Sequence, residues 1–417
     1  MRQIPADNVP DSTLSLLFDG YEFISKKCQK YQSDVFETRL MLKKTICMLG
    51  QEACQVFYNN DLFQREGATP GRIQRTLFGQ GGVQGMDGTA HRWRKQMFMS
   101  MMTPESIKQL SDLVADQWDA SIRKWEIMDS VVLFEEIKEI LCRAVCTWAG
   151  VPLAESEVKQ RTDELSAMID SPGAAGLRHW RGRIARQRAE EWAGDLIELV
   201  RFRNLEAPAE SAINIIAWHR DLENELLDRQ IAAVELLNVL RPTVAAARYV
   251  IFTAMALHRY PEYGQRIRKE KSYDEFFVQE VRRYYPFFPF VAARVKKEFE
   301  WKGYFFPTGR RVILDLYGTN RDARLWESPD EFRPDRFEMR EENAFDLIPQ
   351  GGGDFYENHR CPGEWITMEI MKVALRFFTE NMEYYVPEQD LSMDLTRVPA
   401  IPESRFVIEG VHRKNPA

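Results

Sequence analysis

Residues 235–252 read ELLNVLRPTVAAARYVIF and form the centre of the longest apolar helical pattern in the chain. A helix that is apolar nearly all the way round must be buried on every side. The fold therefore has to wrap other elements about this segment. Two residues inside it resist burial. Arg241 brings a charge that is costly to desolvate unless an opposite charge meets it. Pro242 deletes one helical hydrogen bond and crowds the carbonyl of Asn238, at a cost of about 3 kcal/mol. Two such costs in adjacent residues mark a candidate site.

The surrounding sequence can supply the wrapping. Of 417 residues, 44% are hydrophobic and 29% charged, an ordinary globular balance. That length allows several domains or one large one. No composition shift, repeat or Gly/Ser linker marks a boundary, so a single domain over residues 1–417 is expected. Apolar spacing near 3.6 predicts helices at 104–126, 131–149, 155–170, 177–204 and 228–258. Alternation predicts a hairpin at 35–49 and short strands over 290–317. A coil rich in Asp, Pro and Gly follows over 318–362, then a helix near 363–381 and strand-like pieces over 383–410. The expected class is mainly α with small β-sheets.

Charge and targeting signals narrow the function. The net charge of −7 gives no global basic field for nucleic acid. The N-terminus, MRQIPADNVPDS, lacks a signal-peptide pattern, and no run of about 18 apolar residues exists. No integral membrane span and a cytoplasmic location are expected. None of the six cysteines forms a C-x-x-C pair, and the histidines show no metal-binding spacing. Cys142 and Cys146 fall on one helical face and read as core. GQGGVQG (79–85) has neither the phosphate-loop nor the dinucleotide spacing and reads as a mobile loop. RHWRGRIARQR (178–188) reads as a solvated helix face or a docking patch.

Cys361 stands apart. In IPQGGGDFYENHRCPGEWITMEIMKVALRFF a glycine-rich coil delivers it to an amphipathic helix, with Pro362 suited to the helix entry. The free N–H groups of a first turn lower a thiol pKa. Such a thiolate can be a nucleophile with His359 as its base, an iron ligand, or an inert residue at a loop–helix junction. Two further motifs accompany it. FVQEVRRYYP sets Glu280 and Arg283 three apart on a helix, where they can pair, and SPDEFRPDRF supplies Arg336 in a proline-framed turn.

The order E-x-x-R, then P-x-R-F, then a cysteine before a proline and glycine resembles the cytochrome P-450 superfamily across essentially the whole chain. The resemblance implies a single-domain P-450 fold holding haem b (iron protoporphyrin IX). Cys361 would be the proximal iron ligand, and Glu280, Arg283 and Arg336 a structural triad behind the haem. His91 and Lys95, in AHRWRKQMF, match the helix that contacts the haem propionates. The cysteine loop follows a variant pattern: Asp354 and Glu357 stand where the superfamily usually has phenylalanine and glycine. On the central helix, Arg241-Pro242 replaces the usual acid–alcohol pair, and only Thr243 remains nearby.

Together these departures resemble the fatty-acid peroxygenase branch. They imply hydrogen peroxide and a long-chain fatty acid as partners, with no redox partner required. Arg241 would hold the substrate carboxylate, which then assists peroxide cleavage as general acid–base. Pro242 would open the helix to make room, and Phe78, Phe287 and Phe288 would line an apolar channel. Alkene-forming relatives tend to carry a histidine where Gln84 stands here. A neutral amide is no comparable proton donor, so hydroxylation is expected, at the α carbon. The alternatives are a β-hydroxylating or decarboxylating peroxygenase, a conventional monooxygenase fed by a redox partner, and a non-catalytic haem or fatty-acid binding protein.

Overall fold

The computed structural model describes residues 2–171, 173, 176–270 and 272–414. The chain opens with helices α1 (Thr13–Asp19) and α2 (Phe23–Tyr31), the hairpin β1 (Val35–Leu40) and β2 (Lys43–Met48), then α3 (Gln51–Phe57), β3 (Phe63–Gln64) and α4 (Gly71–Ile73). The helical body follows as α5 (Gly88–Ser100), α6 (Pro104–Trp125), β4 (Ser130–Val132), α7 (Leu133–Ala149), α8 (Val158–Asp170), α9 (Leu177–Arg201), α10 (Ala212–Trp218), α11 (Arg229–Ala245), α12 (Ala247–Arg259), α13 (Glu262–Lys269) and α14 (Tyr273–Tyr284). The rest comprises β5 (Phe290–Val295), β6 (Phe299–Trp301), β7 (Tyr304–Phe306), β8 (Arg311–Asp315), α15 (Leu316–Thr319), α16 (Glu364–Arg376), β9 (Met382–Tyr385) and β10 (Val407–Arg413).

The class expected from the sequence is the one found: mainly helical with small sheets. The largest sheet has the order β1-β2-β8-β5-β3, with β2 and β8 parallel and the other pairs antiparallel. The smaller sheets are β4-β10-β9 and the β6–β7 hairpin.

The apolar segment behaves as its pattern demands. Along α11 every residue from Ala232 to Arg241 is buried, and along α12 every residue from Ala247 to Leu257. Helices α7, α8, α9 and α10 pack round α11, while α7, α14 and α16 pack round α12. Asp228 caps α11 by accepting the Gln230 N–H at 2.8 Å.

Some boundaries differ from expectation, for local reasons. The single helix expected over 228–258 is two, because Ala246 closes α11 with a tightened turn: its N–H reaches the carbonyls of both Pro242 (3.2 Å) and Thr243 (3.1 Å). The helix runs on through Pro242, so the discontinuity lies four residues beyond the proline expected to open it. The helix expected over 363–381 ends as a wider π turn at Phe377–Asn381. Pro362 lies in a turn before α16, which begins at Glu364, so it is not the first helical residue.

Candidate active site

Three elements bring the candidate residues together. The first is the glycine loop before α16. Gly351 and Gly353 have φ of +96° and +83°, and a Cβ on Gly351 would lie 2.9 Å from the Tyr58 hydroxyl. Only glycine fits there without strain. The variant residues build their own turn: Asp354 Oδ1 accepts the N–H groups of Tyr356 (2.7 Å) and Glu357 (2.8 Å). Asn358 Oδ1 accepts the Asp354 N–H at 2.9 Å, while its amide donates to the Tyr58 carbonyl at 2.9 Å. The loop is therefore anchored, and it presents Cys361 half-buried.

The Cys361 thiol departs from the helix-terminus expectation. Burial pushes it up, and the Gly363 N–H only partly offsets that. A dipole effect of this size is overtaken by desolvation when no cation sits on the sulfur. No hydrogen bond joins His359 to Cys361 among the described residues. The His359 ring instead stacks on His91, with centroids 3.8 Å apart. Burial, then Arg65, His91 and Lys95, hold His359 well below the ordinary imidazole range.

Helix α5 is the second element. His91, Arg94 and Lys95 share its buried face. Burial, then Lys95 and Arg65, drop His91 to about 3, and burial drops Lys95 to about 8. Lys95 Nζ donates to the carbonyl of Asn358 at 3.1 Å and to that of Arg360. It has no carboxylate partner among the described residues. Arg65, which sequence reasoning missed, stands over the Phe57 ring, 4.3 Å from the centroid. A neutral histidine pair with a lysine and an arginine beside it suits the carboxylates of a large acidic cofactor, and the nearby Asp87, 4.0 Å from His359 Nε2, is occupied by the Arg65 and Glu66 N–H groups (2.8 and 2.9 Å).

Helix α11 is the third. Glu235 is fully buried and serves three donors: the Val83 N–H (3.0 Å) and Arg94 Nη1 (2.7 Å) on one oxygen, and Asn238 Nδ2 (2.8 Å) on the other. Asn238 Nδ2 also donates to Gln84 Oε1 at 3.1 Å, and Asn238 Oδ1 accepts Arg241 Nη2 at 3.2 Å. Gln84, Asn238, Glu235 and Arg241 thus form one network. Glu235 and Asn238 were missed, although polar residues three apart at 235, 238 and 241 in an apolar helix were a readable signal.

Arg241 keeps one nitrogen, Nη1, buried without a hydrogen-bond partner. Burial, then Arg186, pull its guanidinium down to about 9, while Cys361 and Glu235 favour its charge. Phe78 is the ring nearest this cation, 6.0 Å from centroid to Cζ. Phe287 is core instead: its ring lies 4.5 Å from that of Tyr249, and its carbonyl accepts the Tyr21 hydroxyl at 2.5 Å. Phe288 is half-buried against Phe287, with centroids 4.9 Å apart.

Behind these elements the triad residues meet. Glu280 pairs with Arg283 through both oxygens (2.7 and 2.8 Å) and with Arg336 Nε at 3.2 Å. Arg283 also donates to the carbonyls of Asn320 and Pro329 (3.1 and 2.9 Å), tying α14 to the coil that leads to Cys361.

A half-buried cysteine on a glycine loop, a pocket carrying a lysine and an arginine, and an orphaned arginine N–H are arranged as a haem-thiolate site requires, in an α-rich fold. The sequence profile of the Cytochrome P450 family matches residues 250–406. The fold superposes on Cytochrome P450SP alpha (CYP152B1) in complex with (R)-ibuprophen with a TM-score of 0.95, at 51% identity over 97% of this chain and 99% of that one. Cytochrome P450EX alpha (CYP152N1), solved with myristic acid, gives a TM-score of 0.97 at 43% identity over 99% of this chain and all of its own. An OleT variant in complex with arachidonic acid gives 0.97 at 37% identity, with full coverage of both chains. The chain belongs to the cytochrome P450 family, in the fatty-acid peroxygenase branch that its sequence resembles. Among the described residues no helix is long and apolar enough to cross a membrane.

Proposed function

We propose that this protein uses hydrogen peroxide to hydroxylate long-chain fatty acids at the carbon next to the carboxylate, giving 2-hydroxy acids. Acid and peroxide yield hydroxy acid and water, with no external electron donor. The observation that carries the reading is Arg241: a buried cation on the central helix whose Nη1 has no hydrogen-bond partner and which meets no carboxylate among the described residues. A carboxylate is the ligand that completes it. The relatives solved with myristic and arachidonic acid supply the long-chain class.

The chain's own residues take the following parts. Cys361 would hold the iron of haem b as thiolate, and Arg65, His91 and Lys95 would face its propionates. When bound, haem b supplies the oxidising chemistry. Asn238 Oδ1 fixes one arm of Arg241 and directs Nη1 at the substrate carboxylate, which then serves as general acid–base for peroxide cleavage. Pro242 contributes no N–H of its own beside that carboxylate. Gln84 is held by Asn238 as a neutral amide and offers no acidic proton, which favours hydroxylation over decarboxylation. Phe78 lies over Arg241 and shields the pair from water, with Phe288 further along the channel. All of these belong to one haem-thiolate domain spanning residues 1–417, acting in the cytoplasm.

A conventional monooxygenase needs an available acid on this helix. The one acid of α11, Glu235, is occupied by Arg94, Val83 and Asn238. The test is chromatographic analysis of products from a long-chain saturated acid plus peroxide, without reductase. Mostly 2-hydroxy acid is expected. Mostly 3-hydroxy acid or terminal alkene would overturn the regiochemistry, a requirement for reductase would favour the monooxygenase, and no turnover at all a binding protein.

A further inference from the structure

One arginine of the basic stretch 178–188, expected on a solvated face or docking patch, turns inward instead. Arg186 on α9 is 2% exposed, and the reaction as described does not use it. Its Nε donates to Glu190 Oε1, one turn further along the helix. Its Nη1 donates to the Leu77 carbonyl at 3.2 Å, and its Nη2 lies 3.5 Å from the Phe78 carbonyl. Those two carbonyls close the π turn Gln74–Phe78 that continues α4. The end of a helix leaves its last carbonyls without helical partners, and a guanidinium there completes them with its charge on the favourable side of the dipole. Wide turns of this kind are rare and concentrate at functional sites.

The fit around the guanidinium is close. Gly79 follows the turn with φ of +82°, and a Cβ there would collide with Arg186 Nη2 and lie 2.7 Å from the Val234 side chain of α11. Arg186 is itself braced. The other oxygen of Glu190 accepts Gln230 Nε2, in the first turn of α11, at 2.5 Å. Met168 Sδ of α8 lies 3.8 Å from Nη1. The glycine-rich loop beyond the turn is pinned at its far end by Glu235, which accepts the Val83 N–H. Arg186 fixes the near end, where the Phe78 ring stands over Arg241.

For an acid held on Arg241 Nη1, two things place the first carbons: the direction of that N–H and the wall beside it. Asn238 sets the first through its bond to Nη2. Phe78 is the wall, and its backbone is held from α9. We propose that Arg186 is a positioning residue that determines specificity: by holding Leu77 and Phe78 it keeps the Phe78 ring against the first carbons of the bound acid and so selects the carbon that is oxidised. This rests on the fatty-acid reading above. A ring free to swing away lets the chain turn about its carboxylate, and the second carbon then takes the place of the first. Arg186 is also a like charge facing Arg241, so its removal does not weaken the electrostatic hold on the carboxylate.

The test uses haem-loaded full-length protein with myristic acid and peroxide. A hydrogen bond from a charged donor holds its acceptor in place by about tenfold or more, so Arg186→Met should lower the ratio of 2-hydroxy to 3-hydroxy product about tenfold. Arg186→Lys keeps one donor and should recover part of the ratio. Glu190→Gln leaves the guanidinium in place but unbraced and should give a smaller fall. Arg188→Gln, on the exposed side of the same helix, is the control and should leave the ratio alone. Kd for the acid, measured by calorimetry, should be unchanged or tighter in Arg186→Met, because Arg241 keeps its Nη1 and loses a like charge. Hydrogen exchange reads the turn without turnover. The Gly79 N–H donates to the Gln74 carbonyl at 2.8 Å, and in Arg186→Met it should exchange about tenfold faster. An unchanged product ratio in Arg186→Met, a lysine variant no better than the methionine one, or an equal shift in Arg188→Gln would overturn the proposal. Should Arg186→Met not fold, Arg186→Lys and Glu190→Gln decide it by the same ratio. A wild-type protein that makes no hydroxy acid would overturn the functional reading, and Gly79 exchange would still decide whether Arg186 holds the turn.

Discussion

At the scale of single residues, Arg241 is expensive to bury, and its Nη1 is left without a hydrogen-bond partner. Its neighbours in the network are Asn238 and Gln84, both neutral, while Glu235 is already shared among three donors. Removing one partner of a buried ion pair costs about 3–5 kcal/mol, so Arg241→Ala should lower kcat/KM for fatty acids by roughly two to four orders of magnitude. The haem spectrum should stay intact. Near-native kcat/KM in that variant would place the carboxylate elsewhere. Cys361 carries a separate expectation. The ferrous carbon monoxide adduct of the native protein should absorb at the thiolate position, and a histidine-type Soret band would remove Cys361 as ligand. Both residues were legible in the sequence, because each breaks a local rule: a charge beside a proline in an apolar helix, a lone cysteine after three glycines. Arg65 breaks none. It sits in an ordinary polar loop, and only the tertiary fold brings it to His91 and Lys95.

At the scale of elements, the sequence pattern fixed helix identity better than helix ends. The split at Ala246 was invisible because Val244 to Ala247 continue the apolar pattern, and a single tightened turn leaves no trace in composition. E-x-x-R on α14 was ambiguous for the opposite reason: the pair is common on surfaces, and its meaning depends on Arg336 arriving from fifty residues away. Glu280→Ala would strand Arg283 and Arg336 and should destabilise the fold by about 3–5 kcal/mol, read as a lower urea midpoint and poor haem retention. Another buried acid sets a pH dependence. Asp315 joins β8 to α15, with Oδ1 accepting the Gly318 N–H at 2.7 Å and Oδ2 unpartnered. Burial raises its carboxyl to about 8 from an ordinary 3.8. The folded state therefore holds a proton that the unfolded chain releases, so this contribution to stability is complete below about pH 4 and is lost as pH rises through about 8. Asp315→Asn should flatten thermal stability over that window. An unchanged pH profile would show that Asp315 is ionised in the fold.

At the scale of the molecule, one buried helical spine organises everything else, and that much followed from its apolar run. What the run could not show is where uncompensated charge collects. Burial lowers Lys95 to about 8 and Arg241 to about 9, so both cations are held in the interior at a cost. Lys95 meets only carbonyl oxygens among the described residues. On the proposed reading a haem carboxylate would offset the cost at Lys95 in the folded state, and the haem would have no comparable site in the unfolded chain. Binding at about a thousand times Kd stabilises a fold by about 4 kcal/mol, which in a chain of this size should raise Tm by several degrees, roughly 5 °C. Differential scanning calorimetry of haem-loaded and haem-stripped protein measures that gap. Lys95→Met should keep the thiolate spectrum, because Cys361 is untouched, yet narrow the gap by weakening the hold on a propionate. Equal melting of the loaded and stripped proteins would mean that the cationic pocket is not the haem's receptor, and a full gap in Lys95→Met would assign the propionate contact to Arg65 and His91 instead.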